Sequence, residues 1–100
     1  MLIAIVDFTV APENRAAALA TLLAEAPAVR SMAGNIGFQT YLDPVNGEAL
    51  RIVHEWQDQA SFEAYTASEA FKRSGQVLRP MMTGAPVSRR MSADLLETVR

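Results

Sequence analysis

The only histidine of the chain, His54, is the first candidate for chemistry. Imidazole is the side chain whose ordinary pKa, about 6.5, lies nearest to neutral pH. At the edge of a pocket His54 would serve as a general base. The alternative is a histidine that is hydrogen-bonded to a neighbour in the core or that lies in a subunit contact.

A second candidate, Asp7, interrupts the otherwise apolar segment from Leu2 to Val10. An unpaired buried carboxylate is costly, so Asp7 requires a partner such as Arg51 or Arg89, or a pocket that holds water. In a pocket its pKa would be raised, which suits a base. The alternative is a structural ion pair. Arg51, Arg89 and Arg90 are interpreted as surface residues that form ion pairs. The alternative is that they bind an acidic substrate.

Aromatic residues could complete a site for a flat organic molecule. Tyr65 offers a hydroxyl group to a substrate oxygen, and Trp56, Phe62 and Phe71 offer apolar walls. The three-residue spacing of Phe62 and Tyr65 is equally typical of a helix face packed in the core. The residues themselves leave both interpretations open.

The composition excludes several classes of function. The absence of cysteine rules out disulfides, thiolate metal sites and cysteine nucleophiles, and a single histidine argues against zinc. A net charge of −2 provides no basic field for nucleic acid or anionic lipid. No segment approaches the ~18 apolar residues of a membrane span. We expect a cytoplasmic protein with no metal, cofactor, nucleic-acid partner or membrane partner.

Apolar patterning and turn residues predict four strands and three helices. The Asp43–Gly47 segment is rich in turn formers and predicts a hairpin between the middle strands. Pro12 suits a first helical turn, Pro27 predicts a kink or restart, and Asp58 and Ser68 are expected N-caps. The predicted strands are Leu2–Val10, Ile36–Asp43, Ala49–Trp56 and Val87–Leu96, and the predicted helices are Pro12–Met32, a short one after Asp58, and Glu69–Arg79.

This order, β-α-β-β-α-β, predicts a single α+β domain over residues 1–100 with a ferredoxin-like fold. Its helices would cover one face of an antiparallel four-stranded sheet. The first strand is apolar on both faces, so the uncovered face would expose an apolar patch of a kind that monomers rarely tolerate. We therefore expect a homodimer in which the two sheets pack against each other, with a monomer as the alternative.

Two segments carry a resemblance to a known family. The stretch from His54 to Phe71 combines a strand ending in Trp56, a polar turn, a short aromatic helix and a Ser-capped helix with an early Phe. The segments Ala33–Phe38 and Asp43–Pro44 match a second strand and its hairpin. With the element order, the sequence resembles the antibiotic biosynthesis monooxygenase superfamily along essentially the whole chain.

The resemblance implies a dimeric α+β barrel with one pocket per protomer. Family members include cofactor-independent oxygenases of quinols and polycyclic phenols, and haem-degrading oxygenases. Many members have histidines where this chain has Tyr65 and Ala70, and often a carboxylate at the position of His54. The positions that serve haem degradation correspond to Asp7, Tyr65 and Gly75, which supply no iron ligand, so haem degradation is not expected.

The resulting prediction is a cofactor-independent monooxygenase whose partners are dioxygen and a small quinol or phenolic, including polycyclic, compound. Asp7, His54 and Tyr65 are the predicted catalytic residues, and Trp56, Phe62 and Phe71 the predicted substrate-binding residues. A non-catalytic dimer that binds a small aromatic or apolar ligand is the alternative. A structural dimer without a pocket is a third class. The sequence does not identify the substrate or the pathway.

Overall fold

The computed structural model describes all residues, 1–100, and contains one antiparallel four-stranded sheet with the strand order β2-β3-β1-β4. The strands are β1 (Leu2–Thr9), β2 (Asn35–Leu42), β3 (Ala49–Trp56) and β4 (Val87–Ser92). The helices are α1 (Arg15–Arg30), α2 (Gln59–Thr66) and α3 (Glu69–Leu78), with 3₁₀ turns at Pro12–Asn14 and Arg79–Met81. The predicted α+β ferredoxin-like fold is confirmed, and no helix of the structure is long and apolar enough to cross a membrane.

Side-chain alternation along the strands assigns one face of the sheet to the core. On β1, Ala4 and Phe8 are buried, and on β3 the buried residues are Leu50, Ile52, His54 and Trp56. Helix α1 contributes buried residues at helical spacing, and these pack on the same face. The α1 residues of the core are Ala18, Leu22, Ala26 and Val29.

The predicted caps are confirmed and set the orientation of α2 and α3. The Asp58 carboxylate accepts a hydrogen bond from the Ser61 amide at 2.8 Å, and the Ser68 hydroxyl accepts one from the Phe71 amide at 3.2 Å. Each cap satisfies an amide that would otherwise lack a partner in the first helical turn. Two successive short helices therefore cross the sheet instead of one long helix.

The end of one predicted strand was wrong, and one of the two outcomes predicted at Pro27, a restart of the helix, did not occur. The last strand ends at Ser92 rather than Leu96 because its partner β1 begins at Leu2, and the last contact joins the Ala93 amide to the Met1 carbonyl at 2.8 Å. Helix α1 also continues through Pro27 to Arg30 without restarting. Pro27 lies in the final turn of α1, and its missing N–H group removes one intrahelical hydrogen bond there.

The other face of the sheet carries no helix. Its centre is polar, since Asp7 of β1 lies between Arg51 and Arg89 of the neighbouring strands. Apolar side chains from all four strands surround this centre, and several of them are strongly exposed. The apolar residues of this outer face are Ile3, Ile5, Tyr41, Val53, Val87 and Met91.

Candidate functional site

A cavity of about 180 Å³ lies between the inner face of the sheet and the helical layer. The sheet supplies its floor and the helices supply its roof. The floor residues are Val6, Phe8, Phe38, Ile52, His54, Ser88 and Arg90, and the roof residues include Leu22, Glu25, Phe62, Tyr65, Phe71, Ser74 and Leu78. The lining is thus mainly apolar, with a small number of polar groups, as is typical of small-molecule sites.

His54 lies on the cavity floor with its ring held by Trp56. The Trp56 indole N–H donates to His54 Nδ1 at 2.8 Å. Since an indole nitrogen only donates, Nδ1 is the acceptor, and the neutral ring carries its proton on Nε2. Burial, followed by the nearby charge of Arg90, lowers the pKa of His54 to about 4. At neutral pH His54 is therefore an uncharged hydrogen-bond donor, which matches the alternative of a core histidine hydrogen-bonded to a neighbour.

The predicted aromatic residues divide into two groups. Tyr65, Phe62 and Phe71 line the cavity. Trp56 does not line it, because its fully buried ring stacks on Tyr65 at 5.2 Å and supports His54 from behind. Burial and the nearby negative charge of Glu25 raise the pKa of Tyr65, so its hydroxyl remains protonated and can donate a hydrogen bond.

Asp7 lies outside the cavity, on the outer face of the sheet. Its carboxylate accepts hydrogen bonds from Arg51 Nε at 2.6 Å and from Arg89 Nη2 at 3.1 Å. The pairing expected from the sequence is therefore observed, and the ion pairs rather than a pocket set the pKa of Asp7. Hydrogen bonding to Arg51 and the charges of both arginines lower it. The strand places odd-numbered residues of β1 on the face opposite the helices.

Arg90 lines the cavity, although its side chain is also exposed at the surface, as the sequence interpretation expected. In the sheet, Ala4 pairs with His54 on one side and with Arg90 on the other, so the two polar residues flank a small buried side chain. The Arg90 guanidinium lies 4.9 Å from the centre of the Phe62 ring. The result is a cation and an N–H donor on the same floor.

Glu25 is the functional candidate that sequence reasoning missed. It projects from α1 into the cavity roof, where the Ser74 hydroxyl of α3 donates to Oε2 at 2.5 Å. The other oxygen, Oε1, is buried without a hydrogen-bond partner. Burial raises the pKa of Glu25, although Ser74 and the charge of Arg73 act in the opposite direction.

A sequence signal for Glu25 was present. Glu25 lies three residues after Leu22 and four before Val29, which are both buried. A carboxylate on that stripe faces the core by helical periodicity. The Ala-rich context concealed the stripe, because the neighbouring apolar residues are too small to mark a face clearly.

A protein-family model matches most of the chain. The model described as antibiotic biosynthesis monooxygenase matches residues 1–76. That span includes β1 to α2 and most of α3, and with them His54, Tyr65 and Glu25. Among curated proteins no sequence matches.

Solved structures show the same architecture at low sequence identity. A crystal structure of an antibiotic biosynthesis monooxygenase superposes with a TM-score of 0.87 at 19% identity, covering 95% of this chain and 100% of that one. A Deinococcus radiodurans protein named for the same family gives 0.91 at 16% identity, covering 100% and 99%. A conserved protein from Methanosarcina mazei Go1 gives 0.87 at 20% identity, covering 94% of each chain. With the family model spanning three quarters of its residues, the chain belongs to the antibiotic biosynthesis monooxygenase family.

Proposed function

We propose that this protein is a cofactor-independent monooxygenase that acts on a small quinol or phenol, with dioxygen as the second substrate. The observation that supports this proposal most directly is the cavity, whose mainly apolar lining includes His54, with its proton on Nε2, and Arg90. Donors and cations in a low-dielectric site stabilise negative charge more strongly than they do in water. A phenolate is an anion that a small, mostly apolar cavity would hold.

In this reaction the protein binds the substrate, stabilises its negative charge and excludes water. A bound quinol loses a proton, and the resulting anion supplies electrons to dioxygen. One oxygen atom bonds to a ring carbon, whose hydrogen is lost as a proton, and becomes the new hydroxyl oxygen; the two original quinol oxygens become the carbonyls, and the second atom of dioxygen leaves as water. The balance is one quinol and one dioxygen to one hydroxyquinone and one water, so the substrate supplies all four electrons and no other reductant is needed.

The volume of the cavity restricts the substrate. At about 180 Å³ it lies below the range of roughly 300–1,000 Å³ that is typical of drug-sized ligands. It is comparable to a protein cavity of about 150 Å³ that admits benzene. We therefore propose a substrate with one aromatic ring, and a polycyclic phenol would enter only if the helical layer moved.

A non-catalytic binding module is the second candidate function. It is favoured by the state of His54, whose neutral ring offers a donor but no free acceptor to a substrate. The same cavity would then hold a single-ring aromatic molecule without turnover. Binding and turnover must therefore be measured separately.

The test combines anaerobic binding of 1,4-hydroquinone with oxygen uptake in the presence of an iron chelator. The oxygenase proposal predicts binding, uptake above the rate in buffer, and loss of uptake in the Arg90→Gln variant. Arg89→Gln is the matched control, since Arg89 lies on the outer face. Binding without uptake would replace this proposal with the binding module, and absence of both would contradict the two functions together.

We also propose that the protein forms a homodimer through the outer face of the sheet. The support is the exposed apolar border around the Asp7 ion pairs, a surface that a second copy of the same sheet would cover. Each cavity lies on the helical side of its own sheet. Dimerisation therefore leaves one complete cavity per protomer.

A further inference from the structure

Glu25 is the only carboxyl group that lines the cavity. The two groups that the sequence offered as bases do not serve there. Asp7 is engaged by two arginines on the opposite face, and the accepting nitrogen of His54 is occupied by Trp56. A reaction that begins with loss of a phenolic proton still requires an acceptor within reach of the ligand.

The hydrogen bonding of Glu25 leaves one of its two oxygens without a partner. Ser74 holds Oε2 from the facing helix, while Oε1 is buried and has no partner. An unsatisfied buried oxygen weakens the folded state, so its retention calls for an explanation. A ligand hydroxyl group in the cavity would supply the missing partner.

From this geometry we infer that Glu25 Oε1 accepts the proton of the substrate hydroxyl, with Ser74 as the residue that positions it. The inference rests on the proposed oxygenase function and names its proton acceptor. The O–H bond of the substrate breaks, an O–H bond forms on Glu25, and the negative charge passes to the phenolate. No oxidant or reductant takes part in this step.

The two layers of the cavity present different groups to a bound ligand and would therefore fix its orientation. Glu25 and Ser74 belong to the helical roof, whereas His54 and Arg90 belong to the sheet floor. A ligand between them meets a proton acceptor on one side and a donor with a cation on the other. This arrangement favours a single ring that carries oxygen substituents at opposite positions, as in a 1,4-quinol.

The charged environment of Glu25 is mixed. From the helical layer, the groups near Glu25 are Arg73, Arg79 and the Tyr65 hydroxyl. From the sheet, they are Arg90 and neutral His54. Burial opposes the cations and keeps the pKa of Glu25 above its ordinary value. A carboxylate of raised pKa is a stronger proton acceptor than an exposed one.

The decisive experiment needs no oxygen. 4-Nitrophenol is bound anaerobically at a pH below its own pKa in free solution, and the phenolate fraction of the bound ligand is read from its visible absorbance. The wild-type protein is expected to bind the ligand with a phenolate fraction several-fold above that of the free ligand. Glu25→Gln, which is nearly isosteric, is expected to bind it with a clearly lower phenolate fraction, since only His54 and Arg90 then favour the anion, whereas Glu63→Gln, an exposed α2 control, is expected to match the wild type.

Neutral phenol in the wild-type complex, or an unchanged phenolate fraction in Glu25→Gln, would overturn the inference. Absence of binding to the wild type would overturn it as well. Because the readout is independent of turnover, phenolate formation without oxygen uptake would remove the oxygenase function while leaving the proton acceptor in place.

A pH profile supplies the second readout where oxygen uptake is observed. The wild-type rate is expected to rise with pH through the pKa of Glu25, and Glu25→Gln to lose that rise together with about 100- to 10,000-fold in rate. Ser74 lowers the pKa of Glu25, so Ser74→Ala should move the rise to higher pH. A profile that is identical in all three proteins would contradict the assignment.

Discussion

At the scale of single residues, His54 shows how a neighbour decides the role of a titratable group. Its type and place in the chain suggested a base, but the Trp56 indole takes the accepting nitrogen and burial removes the charge. The alternation of β3 places His54 and Trp56 on the same buried face, but the hydrogen bond between them depends on which rotamers the packed core selects. Asp7 is the reverse case, since an ion pair with a neighbouring strand was predictable and was found.

The first prediction concerns His54 and acid stability. Its folded pKa of about 4 lies below the ordinary value, so only the unfolded chain takes up the proton between about pH 6.5 and 4. Stability should therefore fall as pH falls, by about 2–3 kcal/mol between pH 7 and pH 4.5 from this group alone. His54→Asn retains an acceptor for Trp56 but does not titrate in this range. Its unfolding free energy, measured in urea, should therefore fall by about 2–3 kcal/mol less between pH 7 and pH 4.5 than that of the wild type. Equal losses in the two proteins would contradict the neutral, buried state.

The second prediction concerns Asp7. Asp7→Asn should leave oxygen uptake unchanged and cost about 1 kcal/mol of unfolding free energy at pH 7, because the ion-paired side chains are half-exposed. The folded pKa is lowered, so the contribution of Asp7 is present above about pH 4 and disappears as pH falls through the folded pKa. The measurements are uptake rate and denaturant midpoint. A large loss of uptake with an intact fold would place Asp7 in the mechanism after all.

At the scale of elements, local chemistry made most of the fold predictable. The caps at Asp58 and Ser68 and the hairpin after Leu42 follow from side-chain preferences that act over a few residues. The end of β4 depends on where its partner strand begins, which is a tertiary property. Glu25 was missed for a similar reason, since its partner Ser74 lies on another helix, 49 residues away in sequence.

The third prediction belongs to the turn between α1 and β2. Gly34 has a φ of +82°, and a Cβ atom there would lie 2.5 Å from Ser61 Cβ. Gly34→Ala should cost about 2–5 kcal/mol, since the left-handed conformation and the overlap both oppose it. Gly84→Ala is the control, because nothing lies within 4 Å of its Cβ position. Thermal unfolding of both variants checks this, and equal midpoints would contradict the described approach of the turn to α2.

At the scale of the whole molecule, one sheet separates two surfaces with different roles. The inner face carries the cavity, and the outer face carries an apolar border around a polar centre.

The fourth prediction is that Ile5→Lys, on the outer face, converts a dimer into a monomer in sedimentation equilibrium. Exposed Gln76 of α3 gives the control Gln76→Lys, which should remain dimeric. A monomeric wild type would contradict the proposed dimer without affecting the cavity.

The measurement that tests the central claim most directly is oxygen uptake with 1,4-hydroquinone in a pair of β1 variants. Val6 lines the cavity floor, whereas its neighbour Ile5 points to the outer face. Val6→Phe fills the cavity, so uptake should fall at least about 10-fold, which corresponds to about 1.4 kcal/mol of lost transition-state stabilisation. Ile5→Phe should retain the wild-type rate. Equal uptake in both variants, or none above the rate in buffer for the wild type, would contradict oxygenation in this cavity.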